Sequence, residues 1–456
     1  MKKNFLLGLA LFSLSSVANA QEVDVASKYI RNSVYMMKLD MPADNADYQH
    51  AYEVTNATFD GINFANRYSN YNDFSLNERH IDWGKVPTAT AAELDAIGKE
   101  SKKALLLKST LEGMGIKVDP ISEREYAARL LNYFKANKVG NQLVAKWHIK
   151  EGVDPKNVTA WDESIATIMN YARIGLSDEQ REQAKATQNL TDLCGKSETK
   201  VLSTTYVCVN DYRMMTAEEK TATAIALAKV ALNYLPGPAK IAGQAAVKAA
   251  EIAAANTKGY FVKTNAYLFK LNWDENVQNE FYNKYWKNTA DFNANADYQL
   301  SYVGKSSKSA GAGLTMKSAK LDMLIARGAL RATDAAFAAL QRDYEEFRPM
   351  SALHVEGDKL VAYIGTKEGV KEGDKFDVFQ PIENKDHTIE WKKVGSIKVA
   401  KKGVWNNIEG ANEVIEGEAV DGDNKDKEET QNLQYTIFDG KPSKKVGNGC
   451  MIRLAK

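Results

Sequence analysis

Apolar residues along this chain switch between alternating and helical spacing, and the switches mark out its parts. From Lys28 to Met41, β-branched and aromatic positions are dense enough to predict a first strand. Two more strands are predicted at Val201–Tyr212 and Tyr260–Trp273. In the second of these, Phe261, Tyr267, Phe269, Leu271 and Trp273 share one alternating face. Between the two lies an alanine-dominated stretch, residues 221–256, broken by Pro236-Gly-Pro238, which predicts a helical hairpin carried between strands.

Helical spacing governs other stretches. Thr90 to Gly113 is rich in Ala, Leu, Lys and Glu, and Ser122-Glu-Arg-Glu125 is a capping box opening a helix over 123–138, with Gly140 expected to end it. Gln142 to Ile149 fits either a continued helix or a short strand. Ser177-Asp-Glu-Gln180 is a second box, and Glu275 to Trp286 predicts a short helix. Small residues from Gly304 onward predict a Gly/Ser linker or loop over 304–316. A long helix is expected over 317–348, with Leu321, Leu324, Ile325, Leu330, Ala336 and Leu340 at helical spacing. From residue 352 to 456 short strands separated by Gly-Asp and Gly-Asn turns predict a C-terminal β-domain, a small antiparallel barrel or sandwich, interrupted by an acidic loop from Glu416 to Glu429.

The fold class is therefore α+β: a mixed α/β body over 21–303, a long helix, then the β-domain. Residues 44–82 are polar and Asn-rich, and turns are expected there. Their aromatics (Tyr48, Tyr52, Phe59, Phe64, Tyr68, Tyr71, Phe74) could form a ligand platform, but pinning long loops to a core is the favoured reading.

The start of the chain sets the expected compartment. Met1-Lys2-Lys3 is basic, Phe5 to Leu14 is a short apolar run, and Ala18-Asn-Ala20 supplies small residues for cleavage, so residues 1–20 read as a bacterial signal peptide. No cysteine follows that site, which argues against a lipoprotein. The expected location is periplasmic or peripheral to the outer membrane. A formal charge of +1 argues against nucleic acid as partner. In an oxidising compartment Cys194 and Cys208 could be bridged, or Cys208 could pack as a small apolar residue; Cys450 is expected to be buried.

Chemistry leaves few traces. The histidines His50, His80, His148, His354 and His387 show no metal-ligand spacing, and Asp421 to Glu429 lacks the spacing of a calcium loop. Gly304-Lys-Ser306 lacks the first glycine of a phosphate-binding loop, and Ser197-Glu-Thr-Lys200 lacks the partner motif of penicillin-recognising enzymes. His148 near Asp154 or Asp162 could pair as acid and base, with a half-buried place beside Trp147 as the favoured reading. No residue is therefore assigned a catalytic, cofactor-binding or metal-binding role, and no cofactor is expected.

Ala362-Tyr-Ile-Gly365, Gly369-Val370, Gly373-Asp374 and Phe376-Asp-Val378 resemble the C-terminal β-domain of the flagellar assembly protein T family. Leu143 to Trp147, Thr205 to Asp211 and Tyr267 to Trp273 are similar to a family of secreted envelope proteins of Bacteroidota type. These resemblances imply an envelope protein and bring no activity. The resulting expectation is an exported, non-catalytic component of an envelope assembly that binds other envelope proteins. An exported hydrolase is one alternative. A peripheral membrane protein, using the 221–256 hairpin at the outer membrane, is the other.

Overall fold

The computed structural model describes residues 29–30, 32–42, 48–64, 67, 76, 78–99, 102–114, 118–164, 167–168, 198–233, 236, 240, 243–244, 247–248, 260–314, 321–383, 389–411 and 433–455. Residues 1–20, Cys194, the box at 177–180, His387 and the acidic loop lie outside them. The chain is α+β, with one mixed sheet and one barrel-like antiparallel sheet.

The first predicted strand divides. Tyr29–Ile30 (β1) belongs to the barrel sheet, and Ser33–Asp40 (β2) to the mixed sheet. The mixed sheet adds His80–Asp82 (β3), Thr205–Thr216 (β4), Tyr260–Leu271 (β5) and Leu300–Leu314 (β6), in the order β3-β2-β4-β5-β6. β2 runs parallel to β3 and β4, whereas β5 is antiparallel to both β4 and β6.

Both faces of the sheet are covered, so its central strands are apolar on both sides. One face carries Tyr35, Val207, Val209, Tyr267 and Phe269. They pack under Glu123–Ala136 and Val139–His148, here α4 and α5, which follow Ala91–Ile97 (α2) and Lys102–Gly113 (α3). Ser122 caps α4 by accepting from the Glu125 N–H at 3.2 Å, as its box predicts. The opposite face carries Met36, Tyr206, Cys208, Tyr212 and Leu268 under Gln49–Gly61 (α1) and the long helix Leu321–Asp343 (α9). Ala217–Leu232 is α6, Glu275–Glu280 is α7, running into a wider turn at Phe281–Tyr285, and Thr289–Asn295 is α8.

Met350–Ala352 (β7), His354–Glu356 (β8), Lys359–Ala362 (β9), Lys375–Glu383 (β10), Ile389–Val399 (β11), Thr436–Asp439 (β12) and Met451–Leu454 (β13) curl into a nearly closed barrel. β1 adds an eighth strand beside β7. Gly369 and Gly373 have φ of +74° and +79°, and Val370 tucks into the barrel core.

Four expectations change. The segment from Gly304 is not a linker: through Leu314 it is strand β6, paired along β5 from Leu271↔Leu300 to Tyr260↔Leu314. Its small residues suit a strand overlaid by α9, and a side chain at Gly304 would collide with Tyr344. Residues 49–61 form α1 rather than turns, burying Ala51, Tyr52, Thr55 and Phe59. Gly140 does not end a helix. The break falls at Lys138, in the left-handed region at φ +49°, and Gly140 lets α5 press against the Tyr298 carbonyl. Residues 201–203, expected to begin a strand, are helical, and β4 starts at Thr205.

Candidate functional site

β2 feeds α1 and then β3 on one side, while its other neighbour is β4. The connections therefore diverge at the carboxyl end of β2. Open sheets with parallel strands form ligand crevices at such a point. Here a recess of about 210 Å³ is lined by Lys38, Asp40, Gln49, Tyr52, Asn56 and Tyr212 together with the Leu39-to-Pro42 backbone turn.

The sheet places its charged groups. Lys38 and Asp40 are two residues apart and share one face of β2. Lys38 is only 3 % exposed and its Nζ donates to Asp40 Oδ1. Asp40 is 3.1 Å from His80 Nδ1, which stands across the register on β3, and His80 Nε2 is 2.7 Å from Asp60 at the end of α1. A chain of charges thus runs from the buried ammonium out to solvent. Asn210 is the register partner of Lys38 and donates to the Met37 carbonyl at 3.1 Å, leaving its Oδ1 buried without a partner. Asn56 Oδ1 is also unsatisfied and buried. Tyr212 bonds Thr333 of α9 at 2.7 Å, and burial pushes its hydroxyl pKa up, so it stays protonated.

The unsatisfied Asn56 oxygen and the lysine–aspartate pair on the lining can hold a small polar group that donates hydrogen bonds. Among the described lining residues none is Ser, Thr or Cys, so acyl transfer has no nucleophile there. Among the described residues no group of three or more His, Cys, Asp or Glu could hold a metal ion.

His148 lies elsewhere and pairs differently from expectation. It is fully buried, and neither Asp154 nor Asp162 is its partner through the side chain. Its Nε2 is 3.1 Å from Glu198, the second residue of the Ser-x-x-Lys match, and Nδ1 faces the Val144 carbonyl at 2.7 Å. Tyr282 donates to the second Glu198 oxygen at 2.8 Å. Phe281, Trp161, Trp273 and Trp286 surround the imidazole with ring centroids 4.5 to 6.2 Å away. This is a sealed polar pair inside an aromatic core. Asp162 keeps a backbone tie, its N–H donating to the His148 carbonyl at 2.7 Å.

The remaining candidates take structural places. His50 pairs with Asp322 at 2.7 Å, and His354 packs on Tyr363. Cys208 is a free thiol buried under α9, where burial raises its pKa. Cys450 is a free thiol in the barrel core. Tyr52, Phe59 and Phe64 are buried against the sheet, which is the pinning role, while Tyr68, Tyr71 and Phe74 lie outside the described residues. In α6 the residues Ile225, Ala226, Val230 and Leu232 face inward and Leu227 is exposed, and Ile225 and Leu232 pack against Val247 from the second half of the hairpin. Among the described residues no helix is long and apolar enough to cross a membrane.

Lys38 was not singled out from sequence, and His80 figured only among the histidines without metal-ligand spacing. A lysine two places before an aspartate within an apolar strand was the available signal, because a lysine there must be paired. Set against known proteins, the chain matches no family model, no curated protein and no solved structure.

Proposed function

We propose that this protein is an exported, non-catalytic component of a bacterial cell-envelope assembly, binding other envelope proteins through surfaces held at fixed separation. The observation that carries this reading is the bracing of the α/β body to the barrel by α9. Arg331 donates to the Glu409 and Gly410 carbonyls at 2.8 and 3.2 Å. Arg342 grips Asp374 at 2.6 Å and the Gly369 carbonyl at 2.8 Å, so the glycine-valine turn serves as the helix's seat. Arg67, beyond α1, bonds Asp334 at 2.8 Å and Glu409 at 3.3 Å. Charge-assisted bonds of this kind are directional and fix orientation as well as adding stability.

Two modules braced in this way present their surfaces at a fixed separation, which suits a component that contacts several neighbours. The inward apolar face of α6 counts against a membrane-inserting hairpin. The hydrolase reading rests on the crevice, where His80 between two carboxylates is an acid–base group, and none of the described lining residues is Ser, Thr or Cys.

The test is fractionation of native cells after mild cross-linking, with mass spectrometry of linked neighbours. Recovery with specific envelope proteins is the expected result. Recovery alone in the soluble exported fraction overturns the reading.

A further inference from the structure

The crevice at the carboxyl end of β2 keeps hydrogen-bonding capacity that its own residues do not use. Lys38 stands at its base with a side chain 4 % exposed, and Asp40 stands at its mouth, 38 % exposed. An ammonium carries three N–H donors. Lys38 spends one on Asp40, and no other acceptor bonds its Nζ among the described residues. A carboxylate offers about four acceptor positions. Asp40 uses them on Lys38 and on His80 Nδ1 alone among the described residues. From α1, Asn56 adds a buried Oδ1 that no donor reaches. Spare donors and spare acceptors thus line one recess.

Charge selects among ligands. Lys38 and Asp40 sum to zero, so a free carboxylate would stand against Asp40 and a free ammonium against Lys38. His80 and Asp60 lie beyond Asp40, outside the lining. A neutral group that both donates and accepts meets neither cost, and adjacent hydroxyls do this. One oxygen accepts from Lys38 while its proton goes to Asp40, and its neighbour donates to Asn56. The rest of the wall is largely apolar, made by the Tyr52 and Tyr212 rings with Met41 and Pro42, and it suits the C–H face of a sugar ring. Both tyrosines are held in place. Tyr212 bonds Thr333 at 2.7 Å, and the Met214 N–H donates to the Tyr52 hydroxyl at 3.4 Å. At about 210 Å³ the recess falls below the roughly 300–1,000 Å³ of sites for drug-sized ligands, so it takes one ring and not a chain.

We propose that this crevice binds a single neutral pyranose ring through two adjacent hydroxyls, held by Lys38, Asp40 and Asn56 against the two tyrosines. The ring is a free sugar or the end of a glycan, since the chemistry recognised is the same. Sugar binding needs no partner protein, so it goes beyond the assembly reading and stands apart from it.

Saturation-transfer NMR on the purified protein reads the binding. The probes are the methyl glycosides of glucose, mannose and galactose, which present adjacent hydroxyls in different geometries. Tetrahydropyran-2-methanol is the single-hydroxyl comparator, and acetate and methylammonium are the charged ones. At least one glycoside is expected to bind, with the single-hydroxyl compound at least about tenfold weaker. Asn56→Ala, a change that a helix tolerates, and Lys38→Met should each weaken the best glycoside about tenfold. The alanine variant keeps the test decisive if the methionine variant does not fold. An oligosaccharide ending in the preferred ring separates the sources: equal or tighter binding assigns a chain end, and exclusion assigns a free sugar. No transfer to any glycoside, tighter binding of acetate or methylammonium, or glycoside binding unchanged by Asn56→Ala overturns the proposal. A protein that travels alone in cross-linked cells yet binds the glycoside loses the assembly reading and keeps the crevice.

Discussion

His148 and His80 both meet carboxylates, one inside the aromatic core and the other at the mouth of a crevice. The His148 pair is shut off from solvent: the ring and Glu198 are 0 % and 2 % exposed, and both imidazole nitrogens and both Glu198 oxygens have a protein partner. Around His80 the side chains are a third to a half exposed, and the same kind of pairing continues inward to a buried lysine in a recess that the unsatisfied Asn56 oxygen also lines. A sealed pair leaves no bond for a ligand to make, so its worth is structural. An open chain holds its charges in place and keeps acceptors in reserve, which is what a binding surface requires.

The largest expected effect breaks the sealed pair. Glu198→Ala strands His148 and the Tyr282 hydroxyl in an aromatic core and should cost about 3–5 kcal/mol in urea unfolding. Glu198→Gln keeps an acceptor and should cost clearly less. A small loss for the alanine variant would show that the pair is not sealed.

The bracing of α9 comes next. Arg342→Ala removes bonds to Asp374 and to the Gly369 carbonyl and should cost about 2 kcal/mol. Calorimetry should show the barrel melting ahead of the body. A single unsplit transition at the original temperature would contradict the bracing.

At the crevice the expected cost is smaller. His80→Ala removes partly exposed ion pairs and should change stability by no more than about 1 kcal/mol. A loss as large as that of Glu198→Ala would make the crevice structural and erase the contrast.

The smallest effect is a dependence on pH at the β6 edge. Burial lowers the Lys305 pKa below its unfolded value, so in the window between the two the unfolded chain holds more protons than the folded one. Stability therefore carries a penalty below the folded pKa that is relieved as pH rises toward the unfolded value of 10.5. Lys305→Met should be more stable than the parent at neutral pH, and the difference should shrink as pH rises. Equal pH profiles would show that burial does not disfavour this ammonium.

Much of the architecture is visible in local pattern. Strands β4 and β5, helix α4 with its Ser122 cap, the body of α9 and the barrel turn at Gly369 and Gly373 all carry periodicity or turn chemistry strong enough to read directly. Helix α1 was obscured by its polar, Asn-rich composition, although Ala51, Tyr52, Thr55 and Phe59 do fall at helical spacing. The Glu198 partner of His148 lies fifty residues away in sequence, and no spacing rule joins them.

By itself the sequence determined the α+β class and the elements whose period is strong, because a residue's period along the chain depends on which side of its own element is buried. Tertiary structure decided the rest. Gly304 to Leu314 became a strand because β5 offered a ladder and α9 needed small residues beneath it. Lys38, Asp40, His80 and Asp60 became one charged chain because two parallel strands and a helix end meet there. Such encounters depend on neighbours across space, and a one-dimensional pattern carries no record of them.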